Sequence, residues 1–89
     1  LYYTRAKVIN MTIGERFRQL RIRKGLPALV LARRAGVSQQ TVWLLERWNI
    51  PPNSVRSRQA LARELGVSYE ALWGDLEAQQ SEGVSEHDA

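Results

Sequence analysis

Residues 26–48, LPALVLARRAGVSQQTVWLLERW, decide the fold, because they predict two short helices joined by a tight turn. Ala32 is small enough for the second helix to cross closely over the first. Gly36 supplies a left-handed backbone conformation that would strain a residue with a Cβ. Val42 and Leu45, three residues apart, place an apolar stripe of the second helix against the first. Together these features indicate a helix pair that places its second helix in a DNA groove.

The same stretch and its flanks resemble a known family over roughly residues 12–74. The matching residues are Ile13-Gly14-Glu15-Arg16-Phe17-Arg18-Gln19-Leu20-Arg21, Lys24-Gly25-Leu26, Leu31-Ala32, Gly36-Val37-Ser38, Thr41-Val42, Leu45-Glu46, Leu61-Ala62, Leu65-Gly66-Val67-Ser68 and Leu72. They are similar to the Xre/Cro-type helix-turn-helix DNA-binding domain of lambdoid phage repressors, Cro proteins, and many bacterial regulators and antitoxins. The resemblance implies an all-α, lambda-repressor-like bundle of five short helices. Its second and third helices would form the helix-turn-helix, and it would bind operator DNA as a dimer.

The composition limits the chain to one small domain. Its 89 residues include no cysteine, which excludes a disulfide or a thiolate metal site in this sequence. No apolar run approaches the length of a membrane span or a secretory signal. We therefore expect a protein of the bacterial cytoplasm, encoded by the bacterium or by a phage, with no membrane attachment.

Charge is divided unevenly along the chain. All thirteen Lys and Arg residues lie in residues 1–63, where Glu15 and Glu46 are the only acids, so this part carries a net charge of +11. Residues 64–89 contain seven acids and no Lys or Arg, a net charge of −7. A strongly basic body is the electrostatic footprint of a polyanion-binding protein, although a merely solvated basic face gives the same composition.

Capping and breaking signals predict five helices between two terminal segments. The helices cover about residues 12–24, 28–35, 39–47 and 54–65, and a fifth begins after Ser68 and ends at Gly74. Val55 of the fourth helix is expected to be buried with Leu61, Ala62 and Leu65. Residues 12–76 form the predicted domain, preceded by a flexible extension (1–11) and followed by an acidic disordered tail (77–89).

Four residues of the third helix are candidates for reading bases. Because the apolar stripe points inward, Gln39, Gln40, Trp43 and Leu44 are expected on or near the outer face. By resemblance, Gln39 and Gln40 match base-reading positions of phage repressors. A glutamine amide can pair with N6 and N7 of adenine in the major groove, although exposed glutamines are also frequent in the first turn of any helix.

Trp43 and Leu44 depart from the family, which carries polar residues there. Leu44 can touch a thymine methyl group, and Trp43 can pack on sugar and phosphate, cover the core, or belong to a protein-binding patch. Pro27 and Ala28 replace a polar cap and a glutamine that clamp a phosphate in the family. The apolar face of Trp43, Leu44 and Trp48 leaves a second hypothesis open. In it, the chain is an antitoxin or accessory factor that binds a protein partner.

Arginines near the predicted groove edges are candidates for phosphate contacts. Arg21 and Glu46 match a salt-bridged pair of phage repressors, in which the arginine also reaches a phosphate. Loss of either residue would leave the charge of the other unpaired. Arg58 stands where the family has an apolar residue. The phosphate candidates are Arg21, Arg33, Arg34, Arg47, Arg56 and Arg58.

The leading hypothesis is a sequence-specific regulator of transcription, a repressor or Cro-like switch that binds a double-stranded DNA operator as a homodimer. Tyr69, Trp73 and Leu76 of the fifth helix are candidates for the dimer interface unless they belong to the core, and the N-terminal arm is an alternative. We expect no enzyme, no cofactor and no metal. The only histidine, His87, lies in the predicted tail, and the sequence has no phosphate loop or metal-ligand spacing.

Overall fold

Five helices make up residues 11–77, the part of the chain that the computed structural model describes. They are α1 (Ile13–Arg23), α2 (Ala28–Ala35), α3 (Gln39–Trp48), α4 (Val55–Leu65) and α5 (69–77). This part of the chain contains no strand, and the all-α prediction is confirmed. None of these helices has the length and apolar character needed to cross a membrane. Except for Met11 and Glu77, the two predicted terminal segments lie outside the described residues.

Caps set the boundaries of the helices. The Thr12 hydroxyl accepts from the Glu15 amide at 3.1 Å, and the Glu15 carboxylate accepts from the Thr12 amide at 3.0 Å, which together form a capping box. Ser38 caps α3 through the Thr41 amide. Gly36, with φ at 74°, turns the chain between α2 and α3 as predicted. The first four helices therefore lie within one residue of their predicted bounds.

Each of the five helices contributes side chains to one core. The tilted rings of Phe17 in α1 and Trp73 in α5 have centroids 6.4 Å apart, which closes the bundle between its first and last helices. Ala32 is buried in α2, as the close crossing of α3 predicts. Complete burial of a large apolar side chain such as Phe17 contributes about 1.5–3 kcal/mol to stability. The core consists of Phe17, Leu31, Ala32, Val42, Leu45, Leu61, Ala62, Leu65, Leu72 and Trp73.

Two predictions for the second half of the chain are wrong. Val55 is 54 % exposed rather than buried, because it is the first residue of α4 and lies outside the core face. Gly74 does not end α5, which continues to residue 77. The extra turn is held by Glu77, whose carboxylate accepts from Arg58 Nη1 at 3.2 Å. Glu77 therefore belongs to the last helix and not to the predicted tail.

Candidate nucleic-acid interface

The α3 helix has one buried face and one exposed face. Val42 and Leu45 are fully buried, as the apolar stripe predicts. Gln39 and Gln40 are exposed at the N-terminal end, and Trp43 is 51 % exposed on the next turn. A long helical side chain covers the turn that precedes its own Cα, so the Trp43 indole shares one shallow concavity with both glutamines. The exposed face thus combines two amides with an aromatic ring.

The C-terminal end of α3 is apolar on its surface. Trp48 is 56 % exposed, and its ring meets Trp43 nearly edge-on, with centroids 6.5 Å apart. The Arg47 guanidinium lies over the Trp48 ring, 5.6 Å from the centroid, where the ring attracts a cation. Ile50 is exposed just beyond the helix, whereas Leu44 is half-buried. We call Trp43, Arg47, Trp48 and Ile50 the aromatic patch.

An ion pair between Arg21 of α1 and Glu46 of α3 borders the exposed face. Arg21 Nε donates to Glu46 Oε2 at 2.7 Å, and Nη2 donates to Oε1 at 3.0 Å. A third bond joins Arg21 Nη1 to the Leu26 carbonyl at 3.0 Å. The bonds to Glu46 raise the pKa of Arg21, although burial acts in the opposite direction. The predicted ion pair is present, and a phosphate contact by Arg21 stays a prediction.

A groove of about 520 Å³ runs beside this ion pair. Its lining joins the glutamine end of α3 to the aromatic patch and to the start of α2. Cationic side chains stand on both sides, from α1 and from α3. The lining residues are Arg18, Arg21, Ala28, Gln39, Val42, Trp43, Glu46 and Arg47.

Charge divides unevenly between the helix-turn-helix and the last helix. Glu46 is the only acid in α2 and α3, and it is already paired with Arg21. The acids Glu70, Asp75 and Glu77 lie on α5, which contains no Lys or Arg within the described residues. The helix-turn-helix face is therefore the basic side of the bundle. Four phosphate candidates are exposed and remain predictions: Arg33, Arg34, Arg47 and Arg56.

Arg58 is buried in the bundle, only 7 % exposed, and has little surface to offer to a phosphate. Its Nε donates to the Pro52 carbonyl at 2.8 Å, and its Nη1 bonds Glu77. The guanidinium lies 5.7 Å from the centroid of the Trp73 ring, and Trp73 Nε1 donates to the Arg58 carbonyl at 2.8 Å. The assignment of Arg58 as a phosphate ligand is therefore wrong. The apolar residue that the family has at this position was the signal for a core-facing side chain.

The dimer candidates on α5 differ in their exposure. Trp73 is completely buried, so it cannot contact a second chain, and its assignment to an interface is wrong. Tyr69 and Leu76 are half-buried against the core and stay predictions. The Tyr69 hydroxyl donates to the Glu77 carboxylate. This hydrogen bond is the main reason that the pKa of Tyr69 is raised above its usual value of 10.0.

A contact between α1 and the end of α3 was missed from the sequence. The Gly14 amide donates to Asn49 Oδ1 at 3.0 Å, across 35 positions of sequence. Asn49 ends α3 in the left-handed conformation, at φ 59° and ψ 34°. Gly14 is buried, and a Cβ there would clash with the Leu45 carbonyl oxygen. The readiness of asparagine to adopt this conformation was the available signal for the helix end, but nothing local pointed to Gly14.

The described residues hold no arrangement for metal chemistry. Within residues 11–77, no three His, Cys, Asp or Glu side chains are grouped so that they could hold a metal ion. His87 lies outside this range. The expectation that the chain is no enzyme and takes no cofactor stays a prediction.

Comparisons with solved structures identify the family. The N-terminal DNA-binding domain of SinR from Bacillus subtilis is 31 % identical, and the match covers 68 % of this chain and 88 % of that chain with a TM-score of 0.62. A chain of the SinR–SinI protein complex is 26 % identical over 83 % of this chain and 75 % of that chain, with a TM-score of 0.63. No protein-family model and no curated protein matches. On the SinR domain match and the motif of α2 and α3, the chain belongs to the Xre/Cro-type family of helix-turn-helix DNA-binding domains.

Proposed function

We propose that the chain is a transcription regulator that binds double-stranded DNA with α3 in the major groove. The observation that carries this proposal is the outer face of α3, where Gln39 and Gln40 are exposed beside Trp43 on the basic side of the bundle. Glutamine amides can read adenine in the major groove, and Trp43 adds an apolar contact. The similar SinR domain is itself a DNA-binding domain. Leu44 contributes less to such a surface because it is half-buried.

Phosphate contacts would hold this face against the duplex. Arg47 stands at the end of α3, and Arg33 and Arg34 stand at the end of α2, so cations flank the exposed glutamines along the chain. Arg56 extends the set onto α4, and Arg21 joins it from α1. Each phosphate that is neutralised releases counterions, so the affinity should fall steeply as salt rises.

A homodimer that represses transcription is the finer form of this proposal. Two copies would bind two half-sites about one helical turn apart and would block access to a promoter. Tyr69 and Leu76 of α5 would contribute to the contact between the copies, because both keep part of their surface exposed. A regulator of this kind acts in the bacterial cytoplasm, whether the bacterium or a phage encodes it.

A protein partner is the second candidate function, and the aromatic patch favours it. Trp43 and Trp48 expose about half of their surface, although large apolar groups are normally covered. One of the similar structures is a complex of SinR with another protein, SinI. Since the aromatic patch adjoins Gln39 and Gln40, a protein bound there would compete with DNA.

A titration with DNA separates these functions. The duplexes are a random-sequence pool and a duplex that the wild-type chain selects from it, each at two salt concentrations. We expect the selected duplex to bind at least ~10³-fold more tightly than the pool, and Gln40→Ala to lose about 1–3 kcal/mol of that discrimination. Gln19→Ala is the matched control. Gln19 is an exposed glutamine of α1, and it lies one turn from Arg16, which faces α5.

The same titration also contains the result that would refute DNA reading. Weak binding to every duplex, with a steep loss in salt and no effect of Gln40→Ala, would leave only a basic surface. The protein-partner function would then be tested with Trp48→Ser, which removes the more exposed of the two rings of the aromatic patch.

A further inference from the structure

We propose that Asn49 is a positioning residue that joins the C-terminal end of α3 to the N-terminal end of α1 and so fixes how α3 presents its glutamines. The inference rests on the proposed function, because it assigns to Asn49 a share in sequence discrimination without any contact with DNA. Its basis is the hydrogen bond between Asn49 and Gly14, together with the close approach of the two helix backbones.

Two residues from distant parts of the chain cap the first turn of α1. Amides at a helix start have no partner within the helix. The Thr12 hydroxyl accepts a hydrogen bond from the Glu15 amide, which is ordinary local capping. The Gly14 amide instead donates a hydrogen bond to Asn49 Oδ1, which belongs to the end of α3. The first turn of α1 is therefore completed only when the end of α3 is in its place.

Backbone meets backbone at this point. A Cβ on Gly14 would clash with the Leu45 carbonyl oxygen and would lie 3.0 Å from the Glu46 carbonyl oxygen. Apart from Asn49 Oδ1, the atoms nearest to this Cβ position belong to the backbone of α3, so little tilting is tolerated while the Asn49 bond is present. The glycine is required here for close approach rather than for its φ angle.

Two anchors on α1 then define the direction of α3. Arg21 holds Glu46, and Gly14 holds Asn49. The anchors on α1 are seven residues apart, which corresponds to about 10 Å along the helix. Val42 and Leu45 hold the inner face of α3 in the core, and the second anchor limits the tilt that remains. The exposed glutamines stand at the far end of α3, where a small pivot moves them most. Groups that read a ligand depend on support of this kind.

The choice of residue agrees with a role for the side chain. The α2 and α4 helices end at Gly36 and Gly66, which adopt the left-handed conformation without strain. The α3 helix ends at Asn49, the only non-glycine residue with positive φ among residues 11–77. Glycine would satisfy the backbone more easily, so the carboxamide is what asparagine adds.

Three variants of the full chain test the proposal. Asn49→Gly removes the carboxamide and keeps the left-handed end, Asn49→Asp keeps an acceptor oxygen, and Asn53→Gly is a matched control at an exposed position of the same loop. The measurements are the exchange rate of the Gly14 amide by NMR and the ratio of the Kd for the random pool to the Kd for the selected duplex. Circular dichroism verifies that each variant is folded.

We expect Asn49→Gly to lower the specificity ratio about tenfold while the Kd for the pool stays within about twofold, and to speed Gly14 exchange at least about tenfold. Asn49→Asp should keep the ratio even though its charge weakens both affinities, and Asn53→Gly should change neither quantity. A role in stability alone would not lower the ratio of the folded protein.

An unchanged ratio in Asn49→Gly, or a ratio lost equally in Asn49→Asp, would overturn the proposal. If the wild-type chain binds no duplex more tightly than the pool, the proposed function fails. The exchange rate of the Gly14 amide then tests the link between α1 and α3 by itself. Fast exchange in Asn49→Gly alone would then support the link between the helices, and exchange at the wild-type rate would refute it.

Discussion

Arg21 of α1 pairs with Glu46 of α3, and Arg58 of α4 pairs with Glu77 of α5, so one kind of ion pair occurs in two settings. The first pair borders the groove beside the exposed glutamines. In the second, the Arg58 side chain is only 8 % exposed and also donates to the Pro52 carbonyl, whereas Glu77 is 40 % exposed on α5. The first is therefore placed to serve both the position of α3 and a ligand, whereas the second can serve only the fold.

The surroundings of the two pairs differ in the same way. Around Arg21 and Glu46, the surface carries further cations and the aromatic patch. Around Arg58 and Glu77, the neighbours are Trp73 and Tyr69, and the surface of α5 is acidic. A basic residue in a basic chain is thus a candidate for binding only when its guanidinium has surface left to offer.

The largest effect is expected from Arg58→Ala. The change removes a buried side chain with its bonds to the Pro52 carbonyl and Glu77, so the free energy of unfolding should fall by about 3 kcal/mol. DNA affinity of the folded chain should not change. Urea unfolding and DNA titration at low temperature measure the two quantities. A lower dependence of affinity on salt in the folded variant would show that Arg58 does contact a phosphate.

Arg21→Ala should lower both stability and DNA affinity. It leaves Glu46 unpaired at 13 % exposure, which should cost about 2 kcal/mol of unfolding free energy. The Kd for the selected duplex should rise about tenfold or more, because α3 loses an anchor and the duplex loses a phosphate contact. Arg16→Ala is the control, since Arg16 faces α5, where its Nη2 lies 3.6 Å from Asp75 Oδ2. Equal effects of the two variants on DNA affinity would refute the special role of Arg21.

Gly74→Ala should stabilise the chain by about 0.5–1 kcal/mol, because alanine favours the interior of a helix more than glycine does. A Cβ at this position meets the end of the flexible Glu70 side chain, which can move away. Thermal unfolding measures the change. If Gly74 ended the helix in a left-handed conformation, the same substitution would destabilise the chain and the Arg58–Glu77 pair would lose its support.

Tyr69→Phe should have a similarly small effect, a loss of about 0.5–1 kcal/mol of unfolding free energy at neutral pH, because the bond to Glu77 is removed. Since that bond raises the pKa of Tyr69 above 10.0, the folded chain holds the proton more tightly than the unfolded chain. The contribution is complete below pH 10.0 and is lost as the pH rises through the folded pKa. The difference in unfolding free energy between wild type and Tyr69→Phe should therefore shrink only above that pH. A constant difference would contradict this.

Local rules explain why much of the fold could be predicted. The capping box at Thr12, the cap at Ser38 and the turn at Gly36 depend on neighbouring residues, and the sequence contains all of that information. The pairing of Arg21 with Glu46 was available from the family motif. Each of these features lies in the first 48 residues, where the resemblance is densest.

Packing between distant residues explains the errors. Whether Gly74 stops a helix depends on what the following turn can contact, and here Glu77 finds Arg58. Arg58 in turn lies against Trp73 and Glu77 of α5. The contact between Asn49 and Gly14 likewise joins two ends of the domain that no local pattern connects. The same long-range contacts decide which of the predicted site residues remain at the surface.

The most direct measurement follows the backbone amide and arginine Nε–H shifts of the labelled full chain as the selected duplex is added. The largest changes should fall on residues 38–43 and on the Arg21 side chain, while residues 69–77 and the Arg58 side chain should change little. That pattern would show the outer face of α3 against DNA. Changes concentrated on α5, with α3 unaffected, would contradict the proposed interface.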